Sequence, residues 1–556
     1  MQMRNKQLTV VLLARLATIP AQVQNGNDRD DDFAKGFAEA RNQMYQEYND
    51  FRKQALKEYS DFVRKAWKGF DAKPAVPLPE EEEVAPMLAP GAGEQTASWF
   101  SKIFKKKKKD GNETEVKAEQ LQGRDAQARH EAKPKQDAKP QPKTKPQPKT
   151  KPADRKPEVF TVQQVIQPAP RYEQPQPASE VKEVTRTPNP YITFMVFGTE
   201  CKVRIGENCR FRLRGLSSDD VADAILEFNK PQFDNLLYDC LQERKRHDFS
   251  DWAYYQMLLA LTNKFYGKNS NEAVLAKAFL YSNSGYKMRL ALDNAHLYML
   301  VSSHHFIFGK RYFSLDGESF YLMDSEGSDR MSICEATFPK ESSLSLQMTA
   351  VQKFSSNPLP QRTITSGKDS EFSFTVSSNK NYMDFYETYP SSSIDQNFMT
   401  RWAMYANTPL EKGIRDQLYP AMREKLKDMS QQFAVQELLW WVQTGFEYQY
   451  DENVWGTDRA FFGEETLFYP YCDCEDRSIL LSHLVRELLD LDVVLVYYPG
   501  HLAMAVGFTD DVEGDCVMLN GRKFVVCDPT YIGADVGETM PQMKGLETTV
   551  ILLQKS

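Results

Sequence analysis

The chain has 556 residues, 41 % hydrophobic and 12 % aromatic, which calls for about two to four packed domains rather than one core. Lysine and arginine number 69 against 77 acidic residues, so the net charge is −8 and no overall basic character points to nucleic acid. Eight cysteines are too few for a disulfide framework, although Cys201 with Cys209, and Cys516 with Cys527, stand at spacings that permit bridges.

Residues 1–24 read as an export signal, with a basic start from Met1 to Lys6, an apolar stretch from Leu8 to Ala17 and a small-residue region at Ala21. Such a segment implies a periplasmic or secreted product. No other stretch reaches the length of about 18 apolar residues that a membrane-spanning helix needs. Residues 25–72 are predicted as one amphipathic helix. Its stripe runs Phe33, Phe37, Met44, Tyr48, Phe51, Ala55, Tyr59, Phe62, Ala66 and Phe70 at steps of three, four and seven. A stripe over 30–70 has to meet something, and self-association or docking on the rest of the chain is expected.

Residues 73–187 are dominated by Pro, Lys, Gln and Glu, with opposite charge blocks at Glu80–Glu83 and Lys105–Lys109. That composition predicts a disordered, extended linker, its lysine-rich half suited to weak contact with an anionic surface. From about residue 188 the apolar content rises and packed domains are expected. Residues 331–395 read as a β-rich connection, because Ser343–Met348 and Phe372–Val376 alternate in period two.

The last segment, 396–556, holds the chemistry. Asp473 is an N-cap residue, and Cys474 opens an apolar run to Leu489 at helical spacing. A thiol there sits by unsatisfied N–H groups and the positive end of the helix dipole, which favour thiolate. His501 follows the Pro499-Gly500 turn and starts the strand Leu502–Val506. Asp528 ends the strand Lys523–Cys527, which the hairpin signal Asn520-Gly521 precedes. A lone cysteine is ordinarily a small buried hydrophobe. A thiol, an imidazole and a carboxylate, each in such a setting, are instead the inventory of a nucleophile, its base and an orienting acid.

Cys474, Gly500-His501 and Asp528-Pro529-Thr530 resemble the motifs of the transglutaminase-like superfamily of papain-type cysteine enzymes, over roughly residues 400–535. Cys472 stands where that family often has Gly, and Ala503 where it often has an aromatic residue. The resemblance implies an α+β fold in which a helix carrying the cysteine at its N-terminus packs on an antiparallel sheet. It also implies an enzyme in which Cys474 attacks an amide carbonyl, His501 is the base and Asp528 orients it. A thioester forms, and water or an amine resolves it. Hydrolysis of a peptide, protein or cell-wall peptide is expected, with crosslinking by amine transfer as the alternative. Tyr469 and Tyr471 are candidates for the cleft wall. Cys472, Cys474 and His483 lack the spacing of the common zinc pairs, so neither a metal nor another cofactor is expected.

The module is predicted to occur twice. Asn271–Tyr281 matches the helix after Cys474, His296-Leu297 matches His501-Leu502, and Asp324 matches Asp528. Ser270 to His296 spans 26 residues and Cys474 to His501 spans 27; His296 to Asp324 spans 28 and His501 to Asp528 spans 27. Ser270 or Asn271 then stands at the nucleophile position. The first copy, 188–330, is read as a non-catalytic module, because a hydroxyl does not share the thiol's acidity. A different class of function stays open, a binding or assembly protein built on two inactive modules.

Overall fold

The structure is a computed structural model that describes residues 53–75, 83–90, 92, 156–168, 170–184, 189–293 and 295–554, with single helical positions at 43, 46 and 50. The expected export signal and most of the Lys/Pro/Gln-rich stretch lie outside the described residues. The architecture is mixed α and β, built on two seven-stranded sheets. Among the described residues no helix is long and apolar enough to cross a membrane.

The N-terminal third supplies the edge strands of both sheets: β1 (Trp67–Asp71), β2 (Lys73–Pro74), β3 (Val159–Phe160) and β4 (Val162–Ile166). The first module supplies helices α1 (Asp251–Tyr266) and α2 (Asn271–Asn283). Its strands are β5 (Met288–Leu292), β6 (Leu297–Ser302), β7 (Arg311–Leu315), β8 (Glu318–Leu322) and β9 (Arg330–Cys334). The second supplies α3 (Gln431–Gly445) and α4 (Cys474–Leu489). Its strands are β10 (Asp492–Tyr498), β11 (His501–Gly507), β12 (Cys516–Leu519), β13 (Arg522–Cys527) and β14 (Thr548–Leu552).

The first sheet is ordered β1-β9-β5-β6-β8-β7-β2 and the second β4-β14-β10-β11-β13-β12-β3. Element for element these orders coincide. In each module one helix, α2 or α4, packs on the two central strands and on a preceding helix, α1 or α3. The edge strands differ: β1 and β2 pair antiparallel with their neighbours, whereas β3 and β4 pair parallel.

Local chemistry explains the second module's framework. Asp473 caps α4 reciprocally with Asp476, each carboxylate accepting the other's backbone N–H. Ile479, Leu480, Leu481, Leu484 and Val485 are fully buried, each worth about 2 kcal/mol in transfer terms. Asn520 and Gly521 both have positive φ, 51° and 81°, which closes the β12–β13 hairpin with the twist its strands need.

Three boundary expectations are corrected. The single helix over 25–72 ends at residue 63, and Trp67–Asp71 becomes the edge strand β1 instead. Leu56, Tyr59 and Val63 are buried, and Ser60 Oγ donates to the Ala222 carbonyl at 2.9 Å, so the helix rests on the first module. The linker expected over 73–187 is structured at its ends. Ala75, Ala89, Phe160 and Ile166 are buried, and β2, β3 and β4 complete sheet edges. Composition missed this because each piece buries one or two side chains against a sheet made elsewhere. The connection expected over 331–395 begins inside the first sheet, since β9 reaches Cys334. Ser343–Met348 holds one isolated bridge, at Leu344, rather than a strand, while Ser373–Val376 does pair with Arg362–Thr365. All eight cysteines are unbridged.

Candidate active site

Cys474 is the first residue of α4, so its side chain stands at the helix N-terminus. Its Sγ lies against the backbone N–H of Leu502 and 3.2 Å from Glu475 Oε2. The residue before Leu502 is His501, at the head of β11. Gly500 carries a φ of 73°, a backbone state a side chain would strain, and so lets the chain turn sharply into that strand. His501 Nε2 meets Asp528 Oδ2 at 3.0 Å, and both side chains are fully buried. With the carboxylate accepting, Nε2 carries the proton and Nδ1 presents its lone pair. Among the described residues Nδ1 is buried and has no hydrogen-bond partner.

Asp528 is held as firmly as the histidine. Its Oδ1 accepts the backbone N–H groups of Thr530 at 2.9 Å and Tyr531 at 3.2 Å, the self-bonded turn that Asp-Pro-Thr forms. Gln443, on α3, donates from Nε2 to the Asp528 carbonyl at 3.0 Å. Arg477, one turn along α4 from the thiol, donates to the carbonyls of Gln443 at 3.1 Å, Pro529 at 3.3 Å and Phe446 at 2.9 Å. Its Nε reaches Cys472 Sγ at 3.4 Å, so Cys472 steadies a cation.

Electrostatics around the thiol run against the simple helix-dipole expectation. Burial, followed by the charges of Glu475, Glu83 and Asp473, holds the Cys474 thiol well above its ordinary range, although the Leu502 N–H pulls the other way. Cys474 is 3 % exposed, so in this arrangement it is a closed, protonated thiol. Further carboxylates lie behind it. Asp451, Asp473 and Asp476 come within 4.8 Å of one another, as do Asp451, Asp458 and Glu475. By distance alone either set could hold a cation. Arg401 already pairs with Asp458 and Glu475, and the backbone N–H groups of Arg459 and Phe461 meet Asp451 and Asp476.

The expected cleft tyrosines divide. Tyr469 is buried among Trp455 and Phe461, with ring centroids at 4.8 and 5.1 Å, and is a packing residue rather than a cleft wall. Tyr471 is half-buried on a two-residue strand paired with Glu447–Tyr448. The ring next to the thiol is Tyr448, whose hydroxyl bonds to Glu83. Gln443 and Arg477 left a trace in the sequence, as polar residues inside apolar helical runs. Glu83 left none.

In the first module the corresponding three positions are each engaged with other partners. Ser270 caps α2, accepting the Ala273 N–H at 3.1 Å, and Asn271 takes the position of Cys474. Asn271 Oδ1 accepts from Leu297 N at 2.8 Å, in the place where Cys474 Sγ meets Leu502. His296 has a side chain 62 % exposed, 3.8 Å from Asp293, and Asp324 pairs with the buried Lys277. A scan against protein-family models gave no match, and neither did a search of the curated proteins.

Proposed function

We propose that the second module catalyses acyl transfer on an amide, most simply peptide hydrolysis, and that both modules share the helix-on-sheet core of the transglutaminase-like enzymes. What carries the reading is the histidine. Its Nε2 is bound to a buried carboxylate at 3.0 Å while its Nδ1 is buried without a partner, beside a helix that begins with a cysteine. In this reading Nδ1 takes the proton of Cys474 and the thiolate attacks the amide carbon. The imidazolium then protonates the leaving amine as the C–N bond breaks. Water, deprotonated by the same nitrogen, attacks the thioester, releases the acid and returns the proton to sulfur. Asp528 keeps the tautomer and stabilises the imidazolium. The first module is a non-catalytic partner. The substrate is a peptide or protein outside the cytoplasm, if residues 1–24 direct export.

A second reading, a binding or assembly protein, draws on the burial of the thiol behind carboxylates. One experiment separates the two. The full chain and its Cys474→Ala and His501→Ala variants are incubated with a peptide mixture, with and without a primary amine, and products are read by mass spectrometry. Cleaved products, or amine adducts, that vanish in both variants support acyl transfer. Equal products in all three proteins, or none after the cleft has been opened, would leave only the binding reading.

A further inference from the structure

The segment at 83–90 comes from the acidic end of the expected linker, yet it lies along the three motifs of the candidate site. The Glu83 carboxylate accepts from the Tyr448 hydroxyl, beside Cys474. Val84 N–H donates to the carbonyl of Gly500, the residue before His501, at 2.8 Å. Met87–Leu88 then pairs parallel with Tyr531–Ile532, just beyond Asp528, and Ala89 N–H donates to the Ile532 carbonyl at 2.9 Å. Where the segment leaves, Ala92 crosses Gly533 so closely that a Cβ on that glycine would stand 2.7 Å from the Ala92 Cβ. Backbone pairing of this kind is how an extended peptide is taken up by a sheet edge, with little demand on its side chains.

We propose that residues 83–90 are an intramolecular occupant of the acyl-transfer cleft, a strap that closes off Cys474, and that an extended polypeptide segment paired along Tyr531–Ile532 takes its place when the cleft works. The proposal rests on the acyl-transfer reading for its consequence, though not for its geometry. It accounts for the 3 % exposure of the thiol. It also gives Glu83 a role: its charge is among those that hold the thiol protonated, so lifting the strap removes a carboxylate and part of the burial together. The same hydrogen-bonding groups, the Gly500 and Ile532 carbonyls, become available to a substrate backbone.

The test uses the full chain. Val84→Pro with Ala89→Pro removes both backbone donors without changing charge. A second variant carries specific protease sites within 76–82 and 93–100, so that the strap is cut loose after folding. The readout is the rate of iodoacetamide labelling at Cys474, mapped by mass spectrometry, with the buried Cys240 and Cys334 as references. Loss of two backbone hydrogen bonds should speed labelling roughly tenfold or more in both variants. A synthetic peptide of the strap sequence should slow it again. Unchanged labelling in the folded proline variant and in the cut chain would overturn the strap, and peptide cleavage at the unmodified chain's rate would then leave the catalytic reading standing. Faster labelling that His501→Ala does not weaken would keep the strap and sink the catalytic reading. Faster labelling that the peptide fails to slow would overturn the extended-polypeptide assignment.

Discussion

The two modules share a strand order and a helix on the same pair of central strands, but they treat the same three positions in opposite ways. In the second, Cys474, His501 and Asp528 are all buried and the histidine is bound to the aspartate. In the first, Asn271 fills the helix start, His296 faces solvent, and the carboxylate that could have oriented it is engaged by Lys277. Burial pulls the Lys277 amine down to about 7, and the Asp324 carboxylate lies against it. The difference teaches that the topology supplies positions, not a site. A site needs the polar anchors, here Gln443 and Arg477, that fix the aspartate loop against the helix.

The comparison can be broken at its strongest point first. Cys474→Ala or His501→Ala should abolish turnover by about 10⁵-fold or more, and Asp528→Asn should cost about 10⁴-fold through the wrong tautomer. Circular dichroism should show the fold kept in each, and residual activity near that of the unmodified chain would refute the roles assigned. Arg477→Met tests the anchor. It strands the carbonyls of Gln443, Phe446 and Pro529 in the core, and should cost about 3 kcal/mol or more in urea unfolding as well as activity. A loss of activity with stability unchanged would mean that it acts on the chemistry rather than on the loop.

Acidity offers a third test. Burial pushes the carboxyls of Asp451 and Glu464 up to about 8, with Glu475 adding to the first and backbone N–H bonds opposing in both. Their folded values exceed the unfolded ones, so the native protein keeps protons that the unfolded chain has released. Stability from this source is full below the unfolded range near pH 4 and is lost as pH rises through about 8. The melting temperature should therefore fall between pH 5 and pH 8, and Glu464→Gln should flatten part of the slope. A flat profile in the unmodified chain would contradict the burial of these groups.

The smallest effects belong to the first module. Asn271→Cys should give a thiol that labels no faster than a free cysteine, because His296 is largely exposed beside Asp293 and Asp324 is engaged by Lys277. Selective, His296-dependent labelling would show that the second module's anchors are dispensable. Lys277→Met should change stability by only about 1 kcal/mol, since Asp324 keeps partial access to water. It should leave Cys474 labelling untouched.

Much of this was legible in the chain. The thiol at a capped helix start, the Asn520-Gly521 hairpin and the Asp528 turn are local devices, each fixed by a few neighbouring residues. The repeat was legible because spacing survives where identity does not. The sequence leaves the register of the first copy open between Ser270 and Asn271; the Ser270 cap and the bond from Leu297 N to Asn271 Oδ1 decide it. Of the expected cleft residues Tyr469 and Tyr471, the first packs among Trp455 and Phe461, while the ring of Tyr448 lies near the thiol, a distinction only tertiary packing makes.

By itself the sequence determined the second module's capped helix, its hairpin and the three chemical groups, because caps, turns and apolar periodicity act over a few residues. The tertiary structure alone decided that the thiol is closed and surrounded by carboxylates, that Arg477 and Gln443 brace the aspartate loop, and that residues 83–90 lie over the motifs. Those are contacts between segments far apart in the chain. Their energies depend on burial and on which charges share it, and neither is written in local composition.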